Sequence, residues 1–190
     1  MSEASGSGTI VGLLLPLILG AGSVKAEPLT SVYSSADPAN CTFISNENGG
    51  SLYRCPGPVG RDFMLNIEEH KVFLSFGTDP TQEQIWTQAM PGTHRIGDVI
   101  EWVMDGAVPV ATIVRYYIDR SAAGLPEEQV LAVTRIDQGT ACHVALIDAR
   151  RNDNANVIAR EAASVAAPEG TCRGMEAQTI GIMGVPELVK

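Results

Sequence analysis

The chain has 190 residues, 45% of them hydrophobic, and a formal charge of −9. That length suits one domain, long enough to bury roughly 70% of the surface its unfolded chain exposes. The acidic balance excludes a nucleic-acid binder, which needs Lys and Arg for phosphates; it favours basic partners at long range and keeps a protein in solution.

Residues 10–19 run Ile-Val-Gly-Leu-Leu-Leu-Pro-Leu-Ile-Leu. A bilayer span needs roughly 20 apolar residues, so this run is too short. It fits the apolar region of a signal peptide, about 7–15 residues long. Gly20, Ala21, Gly22 and Ser23 follow, then Val24-Lys25-Ala26, a small-residue cleavage pattern. Residues 1–26 are therefore expected to be a signal peptide, cut after Ala26, with the mature protein periplasmic or secreted and not stably inserted in a membrane. The stretch before the apolar run has no Lys or Arg and carries Glu3, unlike the usual positive start, so an uncleaved anchor is the alternative. No Cys stands at the cleavage point to take a lipid.

The mature chain is expected to be a single domain over 27–172 with a loose tail over 173–190. Residues 27–40, with Pro28, Pro38 and several Ser, read as an extended entry segment. Hairpins follow. Residues 42–46 and 51–55 flank Asn46-Glu47-Asn48-Gly49-Gly50, a tight-turn signal. Pro56-Gly57-Pro58-Val59-Gly60 is a rigid connector. Residues 62–67 place Phe63, Leu65 and Ile67 on one face; after a turn at Glu68-Glu69-His70, Val72, Leu74 and Phe76 alternate with Lys71, Phe73 and Ser75. Thr81 can cap a short helix over 81–89, ended by Pro91-Gly92.

A second strand series begins near Asp98. Val99, Glu101 and Val103 alternate with Ile100, Trp102 and Met104, and Asp105-Gly106 signals a hairpin. The return strand, 109–119, splits into Val110, Thr112, Val114, Tyr116 and Ile118 on one face and Ala111, Ile113, Arg115 and Tyr117 on the other. Strands over 129–136 and 140–148 flank Asp137-Gln138-Gly139. The last element is a helix capped by Asn152 or Asp153, with Ala155, Ile158, Ala162 and Val165 at helical spacing and stops at Pro168 and Gly170. Short turns imply antiparallel neighbours. The expected fold is α+β: one or two antiparallel sheets built from hairpins, a short middle helix, and a C-terminal helix packed on a sheet.

The four cysteines, Cys41, Cys55, Cys142 and Cys172, read as two disulfides of an exported protein. Of three possible connectivities, proximity and strand-end placement favour Cys41–Cys55 and Cys142–Cys172. By chain entropy the first bond contributes about 3 kcal/mol and the second between about 3 and 4 kcal/mol.

Few residues point to chemistry, and neither a catalytic set nor a metal or cofactor motif is legible. His70 sits in a turn beside Glu68 and Glu69. His94 and Arg95, between Gly92 and Gly97, read as a loop that either presents ligand groups or fills solvent-exposed space. His143 follows Cys142, but adjacent strand residues point to opposite faces, and a disulfide-bonded thiol is no nucleophile. The pairs Glu68/Glu69 and Glu127/Glu128 read as solvated turns, and Asn152, Asp153, Asn154 and Asn156 as helix capping without the calcium-loop pattern. If the strands pair around Asp105-Gly106, Trp102, Arg115 and Tyr117 share one face. Arg among aromatics is a common recognition patch; a half-buried sheet face with a snorkelling Arg is the plainer alternative. The candidate binding residues are thus His94, Arg95, Trp102, Arg115 and Tyr117.

Three stretches carry a resemblance: Cys41-Thr42-Phe43 with Tyr53-Arg54-Cys55-Pro56-Gly57; Ile100-Glu101-Trp102; and Thr140-Ala141-Cys142-His143-Val144-Ala145 with Asn154-Ala155-Asn156 and Ala159-Arg160. In these the chain resembles a family of small exported alphaproteobacterial proteins of uncharacterised function with two cysteine pairs. The resemblance implies export and paired cysteines and assigns no catalytic residue. By class and charge alone the chain is also similar to periplasmic lysozyme inhibitors. The expected function is a non-enzymatic binding, interaction or inhibitor-like protein of the cell envelope, with an envelope protein or a small ligand as partner. The alternative is a hydrolase using His94 or His143 as base; a plain structural component of the envelope is a third reading.

Overall fold

The computed structural model describes Met1 and residues 28–47, 49–77, 90–137, 140–166 and 177–180. The expected helix over 81–89 and Cys172 lie outside the described residues.

Where apolar and polar residues alternate, strands form. β2 (Thr42–Glu47), β3 (Gly50–Cys55), β4 (Phe63–Ile67) and β5 (Val72–Ser75) follow one another as an antiparallel meander. Cys41 and Cys55 are bonded at the open end of the first hairpin. Cys142 is also disulfide-bonded. β6 (His94–Asp105), β7 (Val108–Ile118), β8 (Glu128–Asp137) and β9 (Thr140–Asp148) make the long antiparallel centre of a second sheet. The β6–β7 turn has Gly106 at φ 57°, a left-handed conformation that glycine adopts without steric cost.

Two stretches depart from expectation. Part of the entry segment is a strand, β1 (Thr30–Ser35), paired antiparallel with β6 from Thr30↔Met104 to Ser35↔Val99. Its serines serve as hydrogen-bond partners: Ser31 Oγ donates to Glu101 and Ser34 Oγ accepts from Trp102. Within the stretch expected to be loose, Gln178–Ile180 form β10, parallel to β9. The large sheet therefore runs β1-β6-β7-β8-β9-β10, and the small one β2-β3-β4-β5.

The large sheet is apolar on both faces, as a sheet covered on both sides must be. One face packs Ile100, Trp102, Met104, Val114, Tyr116, Ile118, Val130, Ala132 and Leu146 against Cys55, Phe63, Leu65, Val72 and Leu74 of the small sheet. Phe63 and Phe76 lie 6.0 and 5.5 Å from the Trp102 ring, centroid to centroid, a spacing at which aromatic pairs add to burial. The opposite face packs Val103, Ala111, Ile113, Leu131, Val133 and Ile147 against helix α1 (Ala155–Ala166). Ala155, Ala159 and Ala163 form the helix side of that contact, so the helix presents small side chains to the sheet. The fold is α+β, in three layers: small sheet, large sheet, helix.

Candidate functional site

A single bulge decides which residues share a face. Around the β6–β7 turn the pairs run Asp105↔Val108, Met104↔Pro109, then Val103↔Ala111. Val110 is skipped. One inserted residue reverses the face of everything beyond it. Trp102 therefore opposes Thr112 and points to the inter-sheet core, not to the side of Arg115 and Tyr117 as the unbulged hairpin would have it. It is fully buried, and its Nε1–H donates to Ser34 Oγ at 2.7 Å.

His94 is not in a loop; it opens β6 opposite Ile118, on the core side, with Tyr116 at 5.5 Å. Its ring is buried and its nitrogens are engaged with backbone: Nδ1 lies 2.9 Å from the Gly92 carbonyl oxygen, and Nε2 3.3 Å from the Val72 N–H and 3.0 Å from the Val72 carbonyl oxygen. The imidazole clamps the start of β6 to β5 and leaves no free nitrogen for a substrate. His143 pairs with Thr134, whose Oγ1 lies 3.0 Å from its Nδ1, while Cys142, opposite Arg135, points the other way. The strand geometry thus separates that sulfur from that imidazole. His70 lies exposed, 3.4 Å from Glu69. Among the described residues no group of His, Cys, Asp and Glu could hold a metal ion.

The other three candidates do come together. Arg95 opposes Tyr117, and its guanidinium carbon stands 3.7 Å from the ring centroid. Arg115 lies two residues along β7 on the same face, and its Nη1 donates to Gln129 Oε1 at 3.2 Å. Gly97, in the second bulge of β6 (Gly97-Asp98-Val99 opposite Arg115), keeps the space beside them clear of a side chain. Among the described residues, helix α1 stops short of this face. Its contact ends at Ile113 on β7 and Leu131 on β8. The next residues on the same face are Arg115, Tyr117 and Gln129.

Glu127 joins this face to a pocket missed in the sequence. Its carboxylate accepts from Arg95 at 3.2 Å, and its carbonyl oxygen accepts from Arg150 Nη1 at 2.7 Å. The pocket, of about 310 Å³, is lined by Arg120, Leu125, Pro126, Glu127, Glu128, Asp148, Arg150 and Arg151. Asp148 is buried and accepts the backbone N–H groups of Arg150 and Arg151 at 2.9 and 3.0 Å, which turns the chain from β9 towards α1. The Arg150-Arg151 doublet after a strand was the signal in the sequence; its meeting with Arg120 depends on the β7–β8 loop and was not legible.

A second charged centre lies between β6, β1 and α1. Arg160 donates to Glu101 through Nε at 2.6 Å and Nη2 at 3.0 Å, a bidentate fork, and Ser31 Oγ donates to the same carboxylate at 2.6 Å. The carboxylate holds the guanidinium above its usual pKa. Glu101 and Arg160 come from two of the stretches that carry the resemblance above, and their meeting ties the helix to the sheet. No described helix is long and apolar enough to cross a membrane. Comparison of the chain with protein-family models, with curated proteins and with solved structures finds no match.

Proposed function

We propose that this is an exported, non-catalytic binding protein of the cell envelope, of the small alphaproteobacterial kind it resembles, and that it meets an acidic partner protein on the face of Arg95, Arg115 and Tyr117. The observation that carries the reading is the Arg95–Tyr117 stack beside Arg115 on a sheet face that α1 leaves uncovered. Rigid aromatics and guanidinium groups dominate binding hot spots because they bring large contact area and several donors for little ordering entropy. Export rests on the leader at 10–22 and the cysteine pairing, of which Cys41–Cys55 is formed. The whole chain is acidic, yet at physiological salt charges beyond about 8 Å are largely screened; Arg95 is paired with Glu127, so it is Arg115, hydrogen-bonded to the neutral Gln129, whose positive charge favours an acidic partner. Any inhibitor-like action is expected to run through the same face.

The test is affinity capture from envelope extracts with the full chain, beside Arg115→Ala and Tyr117→Ala. We expect a discrete acidic partner whose affinity falls about tenfold or more in each variant. A partner bound equally by all three proteins sinks the assignment of the face, and turnover of an envelope substrate by the purified protein sinks the non-catalytic reading.

A further inference from the structure

Where β7 ends and β8 begins, two loops wall the pocket. One carries Arg120, Leu125, Pro126 and Glu127; the other, leaving β9, carries Arg150 and Arg151. The carboxylates in it are already engaged. Asp148 takes two backbone N–H groups and the Arg151 guanidinium at 3.2 Å. Glu127 is held by Arg95, and Glu128 stands 3.9 Å from Arg120. Arg150 is left over. Its Nη1 donates to a carbonyl oxygen, which uses one of its five donors and offsets no charge, and among the described residues no carboxylate lies within ion-pair distance of it. Arg151, with its side chain 55% exposed, also keeps donors to spare.

We propose that this pocket binds the oxyanion group, carboxylate or phosphate, of a small ligand on Arg150 and Arg151, with Leu125 and Pro126 against its apolar body. The proposal rests on the binding reading above and names the ligand chemistry of the pocket that adjoins that face through Glu127. A guanidinium fork matches the spacing of carboxylate and phosphate oxygens. A volume of about 310 Å³ is at the small end of ligand sites, so the ligand has few heavy atoms. Leu125, 51% exposed at the pocket wall, supplies the apolar surface such sites use for affinity.

Backbone amide shifts of the full chain, titrated separately with inorganic phosphate, acetate, hexanoate and butylammonium at low salt, test this. We expect saturable shifts confined to 119–128 and 148–151 with the anions, and a loss of about tenfold or more in affinity in Arg150→Ala. Arg115→Ala leaves that binding unchanged, and the spectrum of each variant shows that it is folded. Phosphate binding tightest identifies a phosphorylated ligand; hexanoate binding tighter than acetate and phosphate identifies a carboxylate with an apolar tail. The proposal is overturned by no saturable shift with any anion, by anion binding that survives Arg150→Ala, or by butylammonium taking the site instead. Partner capture by the Arg115–Tyr117 face without anion shifts overturns this proposal alone; anion binding without capture leaves it standing and overturns the other.

Discussion

Gly57 occupies a point where a side chain has no room. A Cβ there would lie 2.2 Å from the Arg61 carbonyl oxygen and 2.8 Å from Cζ2 of Trp102. Both obstacles are fixed, one being backbone and the other a fully buried ring. Gly57→Ala is therefore expected to cost about 2–3 kcal/mol, read from urea denaturation midpoints; a variant as stable as the wild type would show that the connector slides freely over the indole. The connector itself was legible from its alternating Pro and Gly, but its contact with Trp102 was not, because the Val110 bulge hides the side to which Trp102 points. His94 was misread for a related reason. Gly92 and Gly97 bracket it like loop residues, yet Gly97 belongs to a bulge inside β6, where the alternation slips without the strand ending. Arg115 and Tyr117 needed only the period of β7, which no bulge interrupts between them.

The hairpin of β2 and β3 shows what one covalent tie does for a short element. Two strands alone are marginal in water, and β2 is an edge strand with Phe43 and Ile44 largely exposed. The Cys41–Cys55 bond limits how far its ends can separate in the unfolded chain. Replacing both cysteines by alanine should lower unfolding free energy by about 3 kcal/mol with the same fold; an unchanged urea midpoint under non-reducing conditions would mean that packing alone holds the hairpin. This element was readable because turn residues and flanking alternation agreed. β1 was not, since Ser31, Ser34 and Ser35 look like loop residues until their partners on β6 are known. β10 escaped for another reason: three residues beside a longer strand show no period of their own.

At the scale of the whole molecule, charge and burial are arranged by layer. The inter-sheet layer encloses the Tyr116 phenol, and burial pushes its pKa well above the ordinary value of 10.0. The folded state therefore keeps this proton where the unfolded chain releases it, so stability is full below about pH 10 and falls as pH rises further. Alkaline titration followed by phenolate absorbance and far-ultraviolet circular dichroism should show Tyr116 ionising only as structure is lost, and Tyr116→Phe should remove that lagging step. Complete ionisation of all four tyrosines with the dichroism intact would refute this. The net charge of −9 was plain from composition, but the gathering of Arg95, Arg115, Arg120, Arg150 and Arg151 at one end of the large sheet is a product of topology. These residues meet only because β6, β7, β8 and β9 run side by side.

β7 and β8 act as a party wall between two rooms. The small sheet leans on one side of it and helix α1 on the other, and each tenant covers apolar surface that nothing else described would cover. Neither can leave without wetting the wall that its neighbour also needs. Damage on the helix side should therefore be felt in the sheet-on-sheet layer, and the domain is expected to melt in one step rather than shed its helix first.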